Sequence, residues 1–291
     1  MFEDIKFQKG KLMSIKAKEI EFYKREGYVG LENVFSNEEI RNLTSVTDEF
    51  IEKSREIGEH NEVFDLDLEA GHSKANPKLR RIKSPHTQHP VYDAAFRNPK
   101  LLNILECLLG PNIRGHGTKL NMKAPGGGAQ VEWHTDWAFY PHTNDDILEV
   151  GLALDDMEIE NGCLMVIPGS HKEVEHSHHE DGFFVGAVSE ETLKMEDAVP
   201  ITLKAGGVSI HHVRELHGSA PNISNRSRRL LLMGYMAADA FPLTGYGDWE
   251  SWNQQILRGK PTNEPRMENI PCRISEPRPE GKVGIFQIQS Q

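Results

Sequence analysis

Trp133-His134-Thr135-Asp136 sets an imidazole and a carboxylate two positions apart in the middle of the chain. In an extended strand, residues i and i+2 share a face. Both side chains can therefore converge on one ion from inside a β-barrel. A second histidine stands in Leu216-His217-Gly218-Ser219, 217 − 134 = 83 residues further on. Two imidazoles and one carboxylate form the facial ligand set that holds non-haem Fe(II) and leaves coordination positions open, here for O2 and a co-substrate. The same donors also suit Mn, Co or Zn. On this reading the protein is an oxygenase, and most of the chain is scaffold for His134, Asp136 and His217.

The surroundings of this stretch read as short strands separated by turns: 113–123, 130–136, 147–155, 162–167, 199–203, 207–213 and 228–238. Gly126-Gly127-Gly128, Glu160-Asn161-Gly162 and Ala205-Gly206-Gly207 supply the breaks. Upstream the period changes. Residues 15–26 predict a helix stopped by Gly27, and Tyr28 to Val34 a short strand. Ser36 and Glu39 form a capping box for a helix that places Ile40, Leu43, Val46 and Phe50 on one face. Pro99 to Leu109 predicts a further helix ending at Gly110-Pro111, and the polar 58–78 segment a mobile loop. Helices followed by many strands indicate a mainly β barrel with flanking helices. We read 1–291 as one domain, with a barrel core at about 112–240 and an irregular tail at 241–291.

Composition narrows the function. The chain is 37% hydrophobic and 26% charged, as a soluble globular protein is. Its formal net charge of −11 opposes nucleic acid and anionic membrane surfaces. The first ten residues lack an apolar signal core, and the chain has no run of 18 apolar residues, so a cytoplasmic protein with no membrane span is expected. Cys107, Cys163 and Cys272 are odd in number and outside C-x-x-C spacing, which predicts free thiols. Oligomeric state is not legible.

Other residues compete for, or could join, the site. His211 and His212 precede His217 on what reads as one strand, where only one of them can share its inward face. His176, His178 and His179 lie in an acidic segment that reads as a solvated lid, and His171 as a turn residue. Asp145-Asp146 and Asp155-Asp156 read as solvated acidic turns. Trp133, Trp137, Phe139, Tyr140 and His142 are candidates for an aromatic pocket wall around a small-molecule substrate. Arg228 follows His217 by 228 − 217 = 11 residues. A guanidinium inside a barrel calls for a carboxylate, and a free dicarboxylate co-substrate would provide one.

With these residues in place, the chain resembles the phytanoyl-CoA dioxygenase family of Fe(II)/2-oxoglutarate oxygenases. The resemblance covers roughly residues 18–240. It also rests on Glu160-Asn161-Gly162-Cys163-Leu164 running into Ile167-Pro168-Gly169-Ser170-His171, and on His217-Gly218-Ser219 followed by Asn222 and Arg228. It implies a double-stranded β-helix, a jelly-roll or cupin-like barrel with an N-terminal helical layer. It implies His134, Asp136 and His217 as iron ligands, Arg228 as the partner of the distal 2-oxoglutarate carboxylate, Ser219 as a hydroxyl donor beside it, and Asn121 as a co-substrate amide. Lys83 is a looser match to a further co-substrate contact. Thr135 and Leu152 depart from residues common in relatives and point to a reshaped pocket. Asp136 keeps the carboxylate that related halogenases lack. The resemblance therefore implies hydroxylation of an unactivated C–H bond in a small organic molecule, with release of succinate and CO2. The alternatives are a barrel metalloprotein with hydrolase or isomerase chemistry, and a catalytically silent binding protein.

Overall fold

The computed structural model describes residues 15–128, 130–173 and 176–278. Its strands, in chain order, are β1 (Tyr28–Leu31), β2 (Phe64–Leu66), β3 (Leu79–Lys83), β4 (Ile113–Lys123), β5 (Val131–His134), β6 (Ile147–Ala153), β7 (Leu164–Val166), β8 (His179–Glu180), β9 (Phe183–Phe184), β10 (Val199–Ile201), β11 (Val208–His212), β12 (His217–Ser219), β13 (Arg228–Ala237) and β14 (Ile256–Arg258). The α-helices are α1 (Ala17–Glu26), α2 (Asn37–Lys53), α3 (Pro85–Gln88), α4 (Pro90–Phe96), α5 (Pro99–Leu109) and α6 (Trp249–Gln254).

Two antiparallel sheets make the barrel. The larger runs β1-β11-β6-β13-β4-β3-β2, with β14 also on β4, and the smaller runs β10-β7-β12-β5. Alternation within the strands divides two cores. On β13, Leu231, Met233 and Tyr235 face the helical layer and pack with Leu43, Phe50, Tyr92, Phe96, Leu101 and Leu105. Leu230 and Leu232 point the other way, to Ala153, Val166 and Ile201 inside the barrel. The helices thus cover the outer face of the larger sheet, and its inner face is left for the site. Residue pattern sets the helix ends as expected: Ser36 and Glu39 form a capping box on α2, and Gly27 closes α1 in the left-handed conformation at φ 81°.

Four expectations need correction. The strand expected over 207–213 and running on to His217 is broken: His211 ends up on β11 in the larger sheet and His217 on β12 in the smaller one. The strand expected at 130–136 ends at His134, and Asp136 opens a 3-10 turn. Thr135 remains extended at φ −110° and ψ 142°, so the shared face of His134 and Asp136 survives the strand end. The 58–78 segment contains β2, whose three residues are all buried. The tail carries α6 and β14, and β14 extends the larger sheet by pairing with β4.

Candidate functional site

His134 and His217 are register partners across β5 and β12. With Asp136 they form a buried group whose potential ligand atoms all lie within 4.8 Å of one another. Each ring is oriented by the backbone carbonyl two residues before it. His134 donates Nδ1–H to the carbonyl of Glu132 at 2.7 Å, and His217 to that of Glu215 at 2.9 Å. This fixes the tautomer that leaves both Nε2 atoms as lone-pair donors. Burial pushes His134 down to about 4 and holds His217 well below its ordinary range. Burial alone would raise Asp136, but Lys119, His211 and His217 outweigh it and hold its carboxyl well below the usual range. The group therefore presents two neutral imidazoles and a carboxylate at neutral pH, the donor chemistry that divalent iron takes.

His211 completes the surround. It is buried, its Nε2 lies 3.4 Å from Asp136 Oδ2, and its ring centroid is 4.4 Å from that of His217. His212 points away and lies over His171.

The triad lines one pocket together with Arg228, Ser219 and Asn121. Arg228 opens β13, is buried, and donates from Nε and Nη2 to the Gly162 carbonyl at 3.0 and 2.8 Å. Its Nη2 is 3.5 Å from Ser219 Oγ. Among the described residues no carboxylate stands within ion-pair distance of it, and burial lowers it to about 10. Asn121 Oδ1 is buried without a hydrogen-bond partner. A buried guanidinium lacking an acid, beside an unmet amide, fits a co-substrate that brings its own carboxylate.

Lys123 is a pocket residue that the sequence reading missed. It lies two positions beyond Asn121 on the same face of β4, and donates to the Ser219 carbonyl at 3.2 Å and to that of Ala220. Burial, then the neighbouring Arg228, lower its ammonium to about 6. Lys119 and Lys123 flank Asn121 at i−2 and i+2 on one face of β4, and both line the pocket.

Several other residues lie elsewhere. Lys83 is held by Asp65 Oδ1 at 2.9 Å and by the Asn61 carbonyl at 2.9 Å. Trp133 packs with Ile167, Val188 and Leu216, and Trp137 with Ile147, Met236 and Trp252, so neither forms a pocket wall. Phe139 does approach the metal group, edge-on to His134 at 5.7 Å. Leu152 is fully buried in the helix-side core, so its departure from relatives does not reshape the pocket. Asp145, Asp155 and Asp156 pair with Arg214, Arg229 and Lys204 at 3.1, 2.6 and 2.7 Å, and Asp146 pairs with Arg266. The His-rich segment is no solvated lid throughout. His178 is 2% exposed, and its Nε2 accepts the backbone N–H of Thr135 at 2.9 Å, between two of the triad residues.

The comparisons agree with this geometry. A family model described as Phytanoyl-CoA dioxygenase (PhyH) matches residues 23–230. A Stutzerimonas stutzeri protein described as a probable alpha-ketoglutarate-dependent hypophosphite dioxygenase is 38% identical over 273 residues, covering 92% of this chain and 94% of that one. The ectoine dioxygenase of Bordetella parapertussis is 26% identical over 241 residues, covering 76% of this chain and 75% of that one. The crystal structure of EctD from S. alaskensis with bound Fe superposes with a TM-score of 0.67 at 23% identity, over 90% of this chain and 89% of that one. A triad suited to iron, an arginine beside it with no acid partner among the described residues and a double-stranded β-helix around both thus accompany the sequence match, and the chain belongs to the phytanoyl-CoA dioxygenase family, as an iron(II)- and 2-oxoglutarate-dependent dioxygenase.

Proposed function

We propose that His134, Asp136 and His217 ligate iron(II), and that Arg228, Ser219 and Asn121 seat 2-oxoglutarate beside it with Lys123 as a further contact. The observation that carries this reading is the sharing of one pocket by the triad and a buried arginine that has no acid partner among the described residues. Bound there, iron(II) supplies the redox chemistry that couples oxidative decarboxylation of 2-oxoglutarate to oxidation of the substrate by O2. The chain's own residues prepare the site. The Glu132 and Glu215 carbonyls hold the two imidazoles in one tautomer. Arg228 offers a carboxylate its charge and its N–H groups. Val131, Leu164, Leu230 and Leu232 supply the apolar part of the pocket lining.

The substrate in this reading is a small polar molecule, and hypophosphite is the first to test. The relative that carries that substrate in its description matches nearly end to end. Hydroxylation of a C–H bond in a small organic molecule is the second reading, which the likeness to ectoine dioxygenase favours. The hydrolase and silent-barrel alternatives fall with the family membership. We keep the chain as one catalytic domain without a nucleic-acid partner. We also keep a cytoplasmic setting, which the free thiols of Cys107 and Cys163 support; among the described residues no helix is long and apolar enough to cross a membrane.

The test is an anaerobic titration of the metal-free protein with Fe(II) and then 2-oxoglutarate, watching for a weak visible charge-transfer band. A band in the wild type that is lost in His217→Ala supports the assignment. Iron binding without any band on adding 2-oxoglutarate overturns it.

A further inference from the structure

The pocket has two chemically different ends. Arg228, Lys123 and Ser219 make one, which the proposed function gives to 2-oxoglutarate. At the other, Lys119, Glu149 and His211 surround Asp136. Lys119 stands out there. Its Nζ lies 3.8 Å from Asp136 Oδ1, beyond hydrogen-bond length, and its side chain is 32% exposed. Among the described residues it draws no hydrogen bond, so all three ammonium donors are open. When Asp136 serves a divalent ion, its charge is shared with that ion, and Lys119 becomes a cation beside a cation. A small anion between them relieves that repulsion.

The opposite wall limits how much negative charge fits. Glu149 is 5% exposed, and the Tyr140 hydroxyl donates to its Oε1 at 3.3 Å. A second negative charge on the ligand would face this acid, whose ionised form burial already disfavours. Two glycines stand in register with Glu149 across the larger sheet. Gly117 and Gly234 are register partners on β4 and β13. A Cβ on Gly117 would meet nothing within 4 Å, whereas one on Gly234 would stand 2.7 Å from Glu149 Oε1. The indoles of Trp133 and Trp137, which could stack on a bulky organic substrate, are turned into separate cores.

We propose that Lys119 is the residue that recognises the substrate, and that it selects a compact monoanion of the oxyanion class. This rests on the iron and 2-oxoglutarate reading above. An ammonium on a flexible stem is a compact point charge, which suits one small oxygen-bearing ion better than an extended dicarboxylate.

The experiment uses the anaerobic protein loaded with Fe(II) and 2-oxoglutarate, titrated with sodium hypophosphite or sodium formate while the visible band is followed. Wild type, Lys119→Met and Lys119→Arg are compared, each also titrated with 2-oxoglutarate. Wild type should respond saturably to a monoanion, and Lys119→Met should weaken that response by about tenfold or more while changing 2-oxoglutarate affinity by less than about twofold. Lys119→Arg should restore most of the response. Phosphite, at a pH where it is a dianion, should bind the wild type more weakly than hypophosphite. Equal monoanion affinity in Lys119→Met overturns the proposal, and so does a matching loss of 2-oxoglutarate affinity. A band that forms but ignores both monoanions overturns it as well. Failure of the band to form at all is a different result, which removes the iron and 2-oxoglutarate reading beneath it.

Discussion

His134 and His217 face each other as a cross-strand pair, with ring centroids 4.2 Å apart and each Nδ1–H given to the carbonyl two residues back. Two strands of the smaller sheet thus aim two Nε2 atoms at one point before any ion arrives. Replacing groups that merely orient metal ligands weakens metal binding by about tenfold to a hundredfold, so losing a ligand should cost more than about a hundredfold. His217→Ala should leave the far-ultraviolet dichroism unchanged and remove stoichiometric iron after anaerobic loading. Near-stoichiometric iron in that variant would falsify the ligand assignment.

Arg228→Ala removes the proposed anchor of 2-oxoglutarate without touching the triad. Losing a charge-assisted partner costs about 3 kcal/mol, which is roughly a hundredfold in affinity. The expected result is a 2-oxoglutarate requirement raised by about that factor, with iron stoichiometry unchanged. Lys should rescue only partly, because an ammonium lacks the fork that reaches Gly162 through Nε and Nη2. A wild-type 2-oxoglutarate profile in Arg228→Ala would move the anchor to Lys123.

The parts of this site that could be read from the sequence are those governed by local spacing. His134 and Asp136 come together because extended backbone carries them to one face, and Thr135 keeps that geometry past the strand end. Arg228 and Ser219 follow from the resemblance. Asn121 also follows from the resemblance, and Lys119 and Lys123 were within reach of an alternation argument, since they share its face of β4. His178 was not. Its partner, Thr135, lies 43 residues away, and the bond depends on a loop folding back over the barrel mouth, which no periodicity records. The misplacement of Trp133 and Trp137 has a related cause. Alternation says that two residues point apart but not which side is pocket and which is core. Likewise, His211 and His217 read as one strand because the chain crosses between sheets within four residues, Val213 to Leu216, that carry no glycine or proline to mark the break.

His178 makes a further expectation possible. Its Nε2 is the acceptor for Thr135 N–H, and its own Nδ1–H goes to the His176 carbonyl at 2.8 Å. His178→Leu strands a buried backbone donor between two of the proposed iron ligands, at a cost of about 1–3 kcal/mol. The variant should melt earlier and hold iron about tenfold or more weakly, since the ligands lose an orienting contact. His178→Gln, which can still accept a hydrogen bond, should recover most of both. Iron affinity equal to wild type in the Leu variant would leave His178 with a packing role alone.

Acid should weaken the metal-free protein through its buried histidines, and His142 is the one on which to measure this. It is 3% exposed, donates Nδ1–H to the Tyr140 carbonyl at 2.7 Å, and is pushed by burial down to about 4 from 6.5. Above the unfolded value neither state binds the proton, and the full stability is present. As pH falls from 6.5 through about 4, the unfolded chain takes up a proton that the folded one refuses, so stability is lost across that window. Glu149 acts in the opposite sense: burial raises it to about 7, so its folded form gains protons first on acidification. Comparing wild type with His142→Gln cancels Glu149 and every other shared group. The wild type should lose about 2 kcal/mol more than the variant on going from about pH 7 to about pH 5. Denaturant melts at the two pH values measure the difference directly, and parallel losses in the two proteins would show that His142 is not held neutral by the fold.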